Sequence, residues 1–170
     1  MKNIDKNSKN AGFTLVELVI VVAIFTLLIG SGISMMGLLN GKDAKETQTN
    51  ITSILGKARI ETMSKKSLKL EIYKDDANGP YFWRYIVDGV TDTHSEQIAT
   101  KRVIVRYEKD NSGTYIDIAP GASLILEFDR SSGALKAFSD GTYCTGIRVS
   151  QGSVDRNIQI FPATGRYKVG

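Results

Sequence analysis

The stretch GFTLVELVIVVAIFTLLIGSGISMMGLL, residues 12–39, decides the architecture of this chain. From Phe13 to Leu39 it holds 27 residues, of which only Glu17 is charged. About 20 apolar residues in an α-helix cross the hydrocarbon layer of a bilayer, so this segment is long enough to span one. Three lysines precede it: Lys2, Lys6 and Lys9. By the positive-inside rule, these cations keep the N-terminus in the cytoplasm and direct everything after the apolar stretch outward.

Two general classes of N-terminal segment share some of these features. A secretory signal peptide also begins with positive charge, but its apolar core is about 7 to 15 residues long and its cleavage site follows that core. A plain membrane anchor explains the length and the orientation. It leaves Glu17, however, in a region where an unpaired charge costs on the order of 2 to 3 kcal/mol.

A third interpretation comes from the residues at the start of the apolar stretch. The run Gly12-Phe13-Thr14-Leu15-Val16-Glu17-Leu18 closely resembles the class III signal of type IV prepilins and type II secretion pseudopilins. The resemblance implies that a membrane-embedded prepilin peptidase cuts between Gly12 and Phe13 and then methylates the amine of Phe13. Residues 1–12 would be the leader peptide, and residues 13–39 the transmembrane helix that later forms a filament core. The implied partners are the peptidase, other pilin or pseudopilin subunits and the inner-membrane assembly platform.

Glu17 would be the fifth residue of the mature chain. A carboxylate in a medium of low dielectric constant seeks a cation, and the Phe13 amine of a neighbouring subunit is available during assembly. We therefore expect Glu17 to set the axial register between subunits. The alternative is a carboxylate that reaches the lipid headgroups and makes no specific contact.

The middle of the apolar stretch reads Gly30-Ser31-Gly32-Ile33-Ser34 and contains no proline. Major pilins commonly carry a proline in mid-helix, so its absence favours a minor subunit or a pseudopilin. Each glycine weakens a helix by about 1 kcal/mol, which leaves room for local melting during assembly.

Residues 40–66 keep a helical period but become amphipathic. Apolar or small side chains recur with the spacing of one helix face at Ile51, Ile54, Leu55, Ala58 and Thr62. Charged residues occupy the remaining faces: Lys42, Asp43, Lys45, Glu46, Lys57, Arg59, Glu61 and Lys65. We expect this helix to be bent from or continuous with the preceding one, and to cover a core with its apolar stripe.

After residue 66 the period shortens to two, which is typical of half-buried strands. Alternation is clear in residues 68–73, 102–107 and 123–128, and turn sequences separate these runs at 78–80, 110–113 and 131–133. The sequence therefore predicts an α+β class, and the prepilin resemblance implies the type IV pilin fold. A long N-terminal helix, membrane-spanning in its first half and amphipathic in its second, packs on an antiparallel β-rich extracytoplasmic domain of residues 67–170.

The run Asn157-Ile158-Gln159-Ile160-Phe161-Pro162-Ala163-Thr164-Gly165-Arg166 resembles the final strand and turn of GspH/FimT-like minor pilins. Ile158 and Ile160 are predicted to point to one face, and Pro162 to end the strand pairing. Gly165 is predicted to take the positive φ of a turn.

Basic residues dominate the chain from Gly141 onward. Four cations, Arg148, Arg156, Arg166 and Lys168, stand against the single acid Asp155. Such a patch attracts phosphate through counterion release. The tail Gly165-Arg166-Tyr167-Lys168 also resembles the basic C-terminal motif through which some FimT-like minor pilins contact DNA during uptake. A DNA-binding minor pilin is therefore the alternative to a purely structural subunit, and a solvated charged edge is the plainer explanation.

The sequence contains few of the reactive side chains that catalysis requires, so we expect no catalytic activity. His94, the only histidine, lies in the polar run of residues 91–96, which reads as an exposed loop. Cys144, the only cysteine, reads as a buried small hydrophobe, and no intrachain disulfide can form.

We also expect no metal and no cofactor. The acidic runs at residues 75–78 and 88–92 resemble turns in solvent and do not match a full calcium loop. The aromatic group Tyr81, Phe82, Trp83 and Tyr85 is predicted to form sheet core or a subunit contact.

Overall fold

The computed structural model describes residues 14–39, 41–64 and 67–170, with the side chains of residues 29–39 excepted. The chain divides into two compact units, residues 1–39 and 40–170. The predicted leader and the predicted scissile bond between Gly12 and Phe13 lie outside the described residues.

The first unit contains one helix, α1 (Leu15–Leu39). It runs through Gly30-Ser31-Gly32-Ile33-Ser34 without interruption. All described side chains of α1, from Leu15 to Leu28, are exposed, and most are large and apolar. Among the residues that the structure describes, none of the helices is long and apolar enough to cross a membrane.

The second unit consists of α2 (Lys42–Ser64) and ten strands. The strands are β1 (Leu68–Lys74), β2 (Tyr81–Val87), β3 (Val90–Thr91), β4 (Glu96–Ala99), β5 (Ile104–Lys109), β6 (Tyr115–Asp117), β7 (Ser123–Glu127), β8 (Cys144–Gln151), β9 (Val154–Phe161) and β10 (Arg166–Val169). Sheet A has the order β3-β2-β1-β7, with β4 also beside β2, and sheet B has the order β10-β9-β8-β5-β6. Every pairing is antiparallel.

α2 begins after a glycine whose backbone has a positive φ and is therefore not helical. Gly41 has φ +88°, and its carbonyl accepts the first hydrogen bond of the helix from Lys45 N at 3.0 Å. Glycine reaches such φ values without strain. A Cβ at Gly41 would also lie only 2.9 Å from the side chain of Val154, so the turn into α2 packs directly against the hairpin between β8 and β9.

The apolar stripe predicted for α2 is confirmed, because all of its members are buried: Ile51, Ile54, Leu55, Ala58 and Thr62. The stripe joins one core with buried residues of both sheets, among them Leu70 of β1 and Ile147 of β8. Opposite sides of α2 reach different sheets. Asn50 donates to the carbonyl of Ile98 in β4 at 3.3 Å, and Gln48 donates to the carbonyl of Asn157 in β9 at 2.9 Å.

The predicted α+β class is confirmed, with helices followed by antiparallel sheet, and β1, β5 and β7 coincide with the three alternating runs to within two residues. The sequence did not indicate that the strands divide into two sheets. It also did not indicate that Arg166–Val169 forms a strand of its own.

The predictions for the C-terminal run are confirmed. Ile158 and Ile160 are buried on one face of β9, Pro162 follows the end of that strand, and Gly165 has φ +62°. A Cβ at Gly165 would overlap the carbonyl oxygen of Gly133, so the turn has no room for a side chain.

Arg59 connects α2 to this turn. Its Nε donates to the carbonyl oxygens of Gly133 and Thr164, both at 3.1 Å. The helical pattern had assigned Arg59 to a solvent-facing surface. Its side chain instead bonds two backbone carbonyls from loops that are distant in sequence. Without Arg59, each of these carbonyls would need another hydrogen-bond donor.

We predict that the packing of α2 dominates the stability of the second unit. Ile51→Ala removes a side chain that is 0 % exposed and leaves a cavity between the sheets. The expected loss is about 2 to 5 kcal/mol in the free energy of unfolding. Ile60→Ala is the matched control, because Ile60 lies on the same helix but is 66 % exposed. Urea unfolding of the full chain in detergent measures both, and an equal loss for the two variants would contradict the prediction.

Candidate functional sites

The start of α1 is a capping box built from Thr14 and Glu17. The Thr14 backbone N–H donates to Glu17 Oε2 at 2.9 Å, and the Glu17 backbone N–H donates to Thr14 Oγ1 at 3.2 Å. The Thr14 hydroxyl also donates to Glu17 Oε2 at 3.0 Å. These reciprocal bonds satisfy helix N–H groups that have no partner within the helix. Glu17 therefore has a local role within its own chain, in addition to the intersubunit role expected from the sequence.

The signal for this capping box is present in the sequence, although the prepilin resemblance alone does not point to it. A threonine followed three residues later by a glutamate, just before an apolar run, is the usual signature. The negative carboxylate also lies in the first turn, where the helix dipole favours it.

The described surface of α1 is apolar on every side. A helix that is apolar on every side is normally covered by lipid or by other protein segments, because its exposure to water is unfavourable. Its exposed residues include Leu15, Val19, Phe25 and Leu28. The only charged group among the described side chains of this helix is Glu17, at the capped end.

The structure separates the four cations that the sequence grouped into one patch. Arg166 and Lys168 of β10 pair with Phe161 and Gln159 of β9, on the face of sheet B that points away from the core. Both cations are exposed. In the part of the chain that the structure describes, neither makes an ion pair.

Arg148 lies on the same outer face, but its guanidinium contacts other side chains of this protein. Its Nε donates to Asn157 Oδ1 at 3.0 Å, and its guanidinium carbon lies 3.8 Å from the centre of the Tyr115 ring. Arg156 lies on the opposite, core-facing side, because it pairs with the buried Val149. Its Nε is buried without a hydrogen-bond partner among the described residues. Of the four cations, Arg166 and Lys168 are therefore the exposed pair, and Arg156 lies on the other side of the sheet.

An aromatic ring lies beside these two cations, and the charge pattern of the sequence gives no sign of it. Phe161 is directly opposite Arg166 in the pairing of β9 and β10, and it is 43 % exposed. Cations beside an exposed ring are the features on which single-stranded nucleic acids bind and stack.

The remaining candidates lie where the sequence predicted them. The His94 side chain is 79 % exposed between β3 and β4, with Nε2 3.6 Å from Glu96 Oε1. Cys144 is 0 % exposed in β8, and burial raises the pKa of its thiol to about 12. Among the described residues, no group of three or more histidine, cysteine or acidic side chains is placed to hold a metal ion.

The acidic run at residues 75–78 is a turn, and the run at 88–92 is a turn that leads into β3. Asp76 accepts a hydrogen bond from the backbone N–H of Asn78, and Asp92 accepts one from that of His94. Among the aromatic residues, Tyr81 is buried in the core, with Trp83 and Tyr85 packed against it. Phe82 stacks on Tyr73, with ring centres 5.9 Å apart.

Residues 7–33 match the family model described as the prokaryotic N-terminal methylation motif. This motif is characteristic of type IV prepilins and pseudopilins. The chain carries a prokaryotic N-terminal methylation motif. No curated protein sequence and no solved structure matched the chain.

The prepilin motif covers Gly12, Phe13 and the whole capping box. It also covers the first part of α1, whose described side chains are almost all apolar. The prepilin family is structural rather than enzymatic. The β-rich second unit lies outside the matched residues, so its own features must indicate what it contacts.

Proposed function

We propose that this chain is a structural subunit, a minor pilin or pseudopilin, of a type IV pilus or a type II secretion-like filament. Prepilin peptidase cleaves it between Gly12 and Phe13 and methylates the Phe13 amine, which leaves residues 13–170 as the mature subunit. The protein has no catalytic activity of its own. The methylation motif at residues 7–33 is the observation that carries this proposal.

Before assembly, residues 13–39 cross the cytoplasmic membrane once, with the N-terminus inside and the second unit outside. The support is the sequence of 27 residues with a single charge, preceded by three lysines. The exposed apolar surface along the described part of α1 agrees with a helix that lipid covers first and sister helices cover later.

Assembly then exchanges lipid contacts of this helix for contacts with the same segment of neighbouring subunits. Helices in lipid associate through close packing and polar contacts rather than through the hydrophobic effect. Glu17 supplies the polar contact, by pairing with the Phe13 amine of a neighbour and fixing the register. The capping box holds its carboxylate at the first turn of α1, close in sequence to where that amine forms.

Intact-mass and N-terminal analysis of the protein from native membranes and from sheared filaments tests the proposal. We expect both fractions to lack residues 1–12 and to begin with a methylated Phe13. Recovery of a protein that retains Met1 to Gly12 and is absent from filaments would overturn it.

The charge of Glu17 and its capping role can be separated by two substitutions. Glu17→Gln keeps an oxygen that accepts the capping-box bonds but removes the charge, whereas Glu17→Ala removes both. If pairing with the Phe13 amine drives assembly, both variants are cleaved normally and both are depleted in sheared filaments. Quantitative immunoblotting of the membrane and filament fractions measures this. Normal incorporation of Glu17→Gln would assign the role of Glu17 to the helix cap alone.

A second candidate function is DNA binding through the exposed end of the second unit. The favouring observation is the group formed by Arg166, Lys168 and Phe161 on one face of sheet B, where the cations have no described ion-pair partner. Cations attract the phosphate backbone, and an exposed ring adds base stacking.

If this second function holds, Arg166→Ala combined with Lys168→Ala weakens binding to labelled single-stranded and duplex DNA. It also lowers the slope of log affinity against log salt by about 1 for each phosphate that the variant no longer neutralises. Lys101→Ala with Arg102→Ala is the control, because it removes the same charge from an exposed turn elsewhere. Mobility-shift titrations of the full chain in detergent measure both. An equal weakening of binding in the two double variants would remove the DNA-binding candidate.

A further inference from the structure

Two oppositely charged edges lie on the two flanks of α2. The acidic edge consists of Asp88, Asp92 and Glu96, in and between β2, β3 and β4 of sheet A. The basic edge consists of Arg166 and Lys168 on β10, the last strand of sheet B. All five side chains are exposed.

The contacts of α2 place these edges on opposite sides of the helix. Residues two apart are about 200° apart around an α-helix, and residues seven or eleven apart share a side. Asn50 and Lys57 share the side that meets sheet A, through the Ile98 carbonyl and the Trp83 ring. The other side meets sheet B, through hydrogen bonds from Gln48 to Gly170 and from Arg59 to Thr164.

The edges are also at the same level along α2. Trp83, which lies 5.9 Å from the Lys57 ammonium, is the register partner of Glu96. On the other flank, the Tyr167 hydroxyl lies 3.3 Å from where a Cβ of Gly56 would be. Gly56 and Lys57 are consecutive, so Glu96 and the neighbours of Tyr167 on β10 lie near the same turn of α2. A sideways displacement of one copy across α2 therefore brings its basic edge to the acidic edge of another.

The charges on these edges remain available for a partner. Several other cations of the sheets are paired within the chain, as in Arg84 with Glu71 and Lys109 with Asp140. In the described part of the chain, Asp88, Asp92, Arg166 and Lys168 form no ion pair, and Glu96 faces only His94, at 3.6 Å. Each edge also exposes a valine, Val90 on β3 and Val169 on β10.

We propose that the basic edge of one copy of this chain docks on the acidic edge of a second copy, side by side across α2. Such a contact joins two different surfaces, so it is heterologous. Repeated contacts of this kind build open helical arrays rather than closed dimers. The inference rests on the proposed filament function and names the surface through which the second units meet.

Cross-linking in filaments tests the contact directly. The full chain carries Glu96→Cys and Arg166→Cys together, and a short bis-maleimide is applied to filaments on cells. We expect a ladder of covalent multimers from the double variant, only dimers when the two single variants are co-expressed, and monomers from either single variant alone. The native Cys144 does not interfere, because it is 0 % exposed. Dimers from a single variant would mean that like edges meet, which overturns the proposal.

Charge reversal provides the second measurement. Arg166→Glu with Lys168→Glu makes both edges acidic, and Asp92→Lys with Glu96→Lys makes both edges basic. Each variant alone is expected to fall several-fold in sheared filaments, and co-expression of the two is expected to restore incorporation. Lys101→Glu with Arg102→Glu controls for net charge. If each reversed variant alone is incorporated normally and no cross-linked ladder forms, the proposed contact is refuted, while the proposed filament function is retained. If the unmodified chain is absent from filaments, the proposed function itself is refuted.

Discussion

The burial of one face of α2 between two sheets is the interaction on which the second unit depends. Sheet A and sheet B are joined through the residues of that face, from Ala44 to Thr62, because the same helix contributes to the core of both. An amphipathic helix of 23 residues gains most of its stability from such packing rather than from intrinsic propensity. The polar contacts at its sides, from Gln48, Asn50 and Arg59, then fix how each sheet is oriented on it.

The fold was predictable where it follows from local periodicity. The spacing of Ile51, Leu55 and Ala58 is a property of neighbouring residues, and so is the alternation of Ile158 and Ile160. The inward side of Arg156 agrees with this alternation, because Arg156, Ile158 and Ile160 are spaced two residues apart, although grouping the four cations by charge did not use it. Whether a strand residue faces the core or the solvent depends on register, and a shift of one residue reverses it. The sequence contains four C-terminal cations, and the pairing of β9 with β8 and β10 fixes the side of the sheet on which each one lies.

The candidate sites differ in the same respect. The prepilin motif is contiguous, so residues 12–18 display it without knowledge of the fold. The contacts of Arg59 join residues 74 and 105 positions apart, and nothing in the local sequence indicates them. The acidic and basic edges likewise arise from strands that are distant in the chain. The sequence of such a chain therefore displays its N-terminal motif more readily than the contacts of its outer surface.

Arg59 gives the C-terminal edge an unusual mechanical connection. β10 is attached to β9 by strand pairing, but its preceding turn is also held to α2 by the hydrogen bond from Arg59 Nε to the carbonyl of Thr164. At the other end, Gln48 of the same helix donates to the Gly170 carbonyl. Tension applied to β10 is therefore carried to α2 at two points, more than two helical turns apart. A force on this edge strand is therefore shared between its pairing with β9 and its direct hydrogen bonds to the helix.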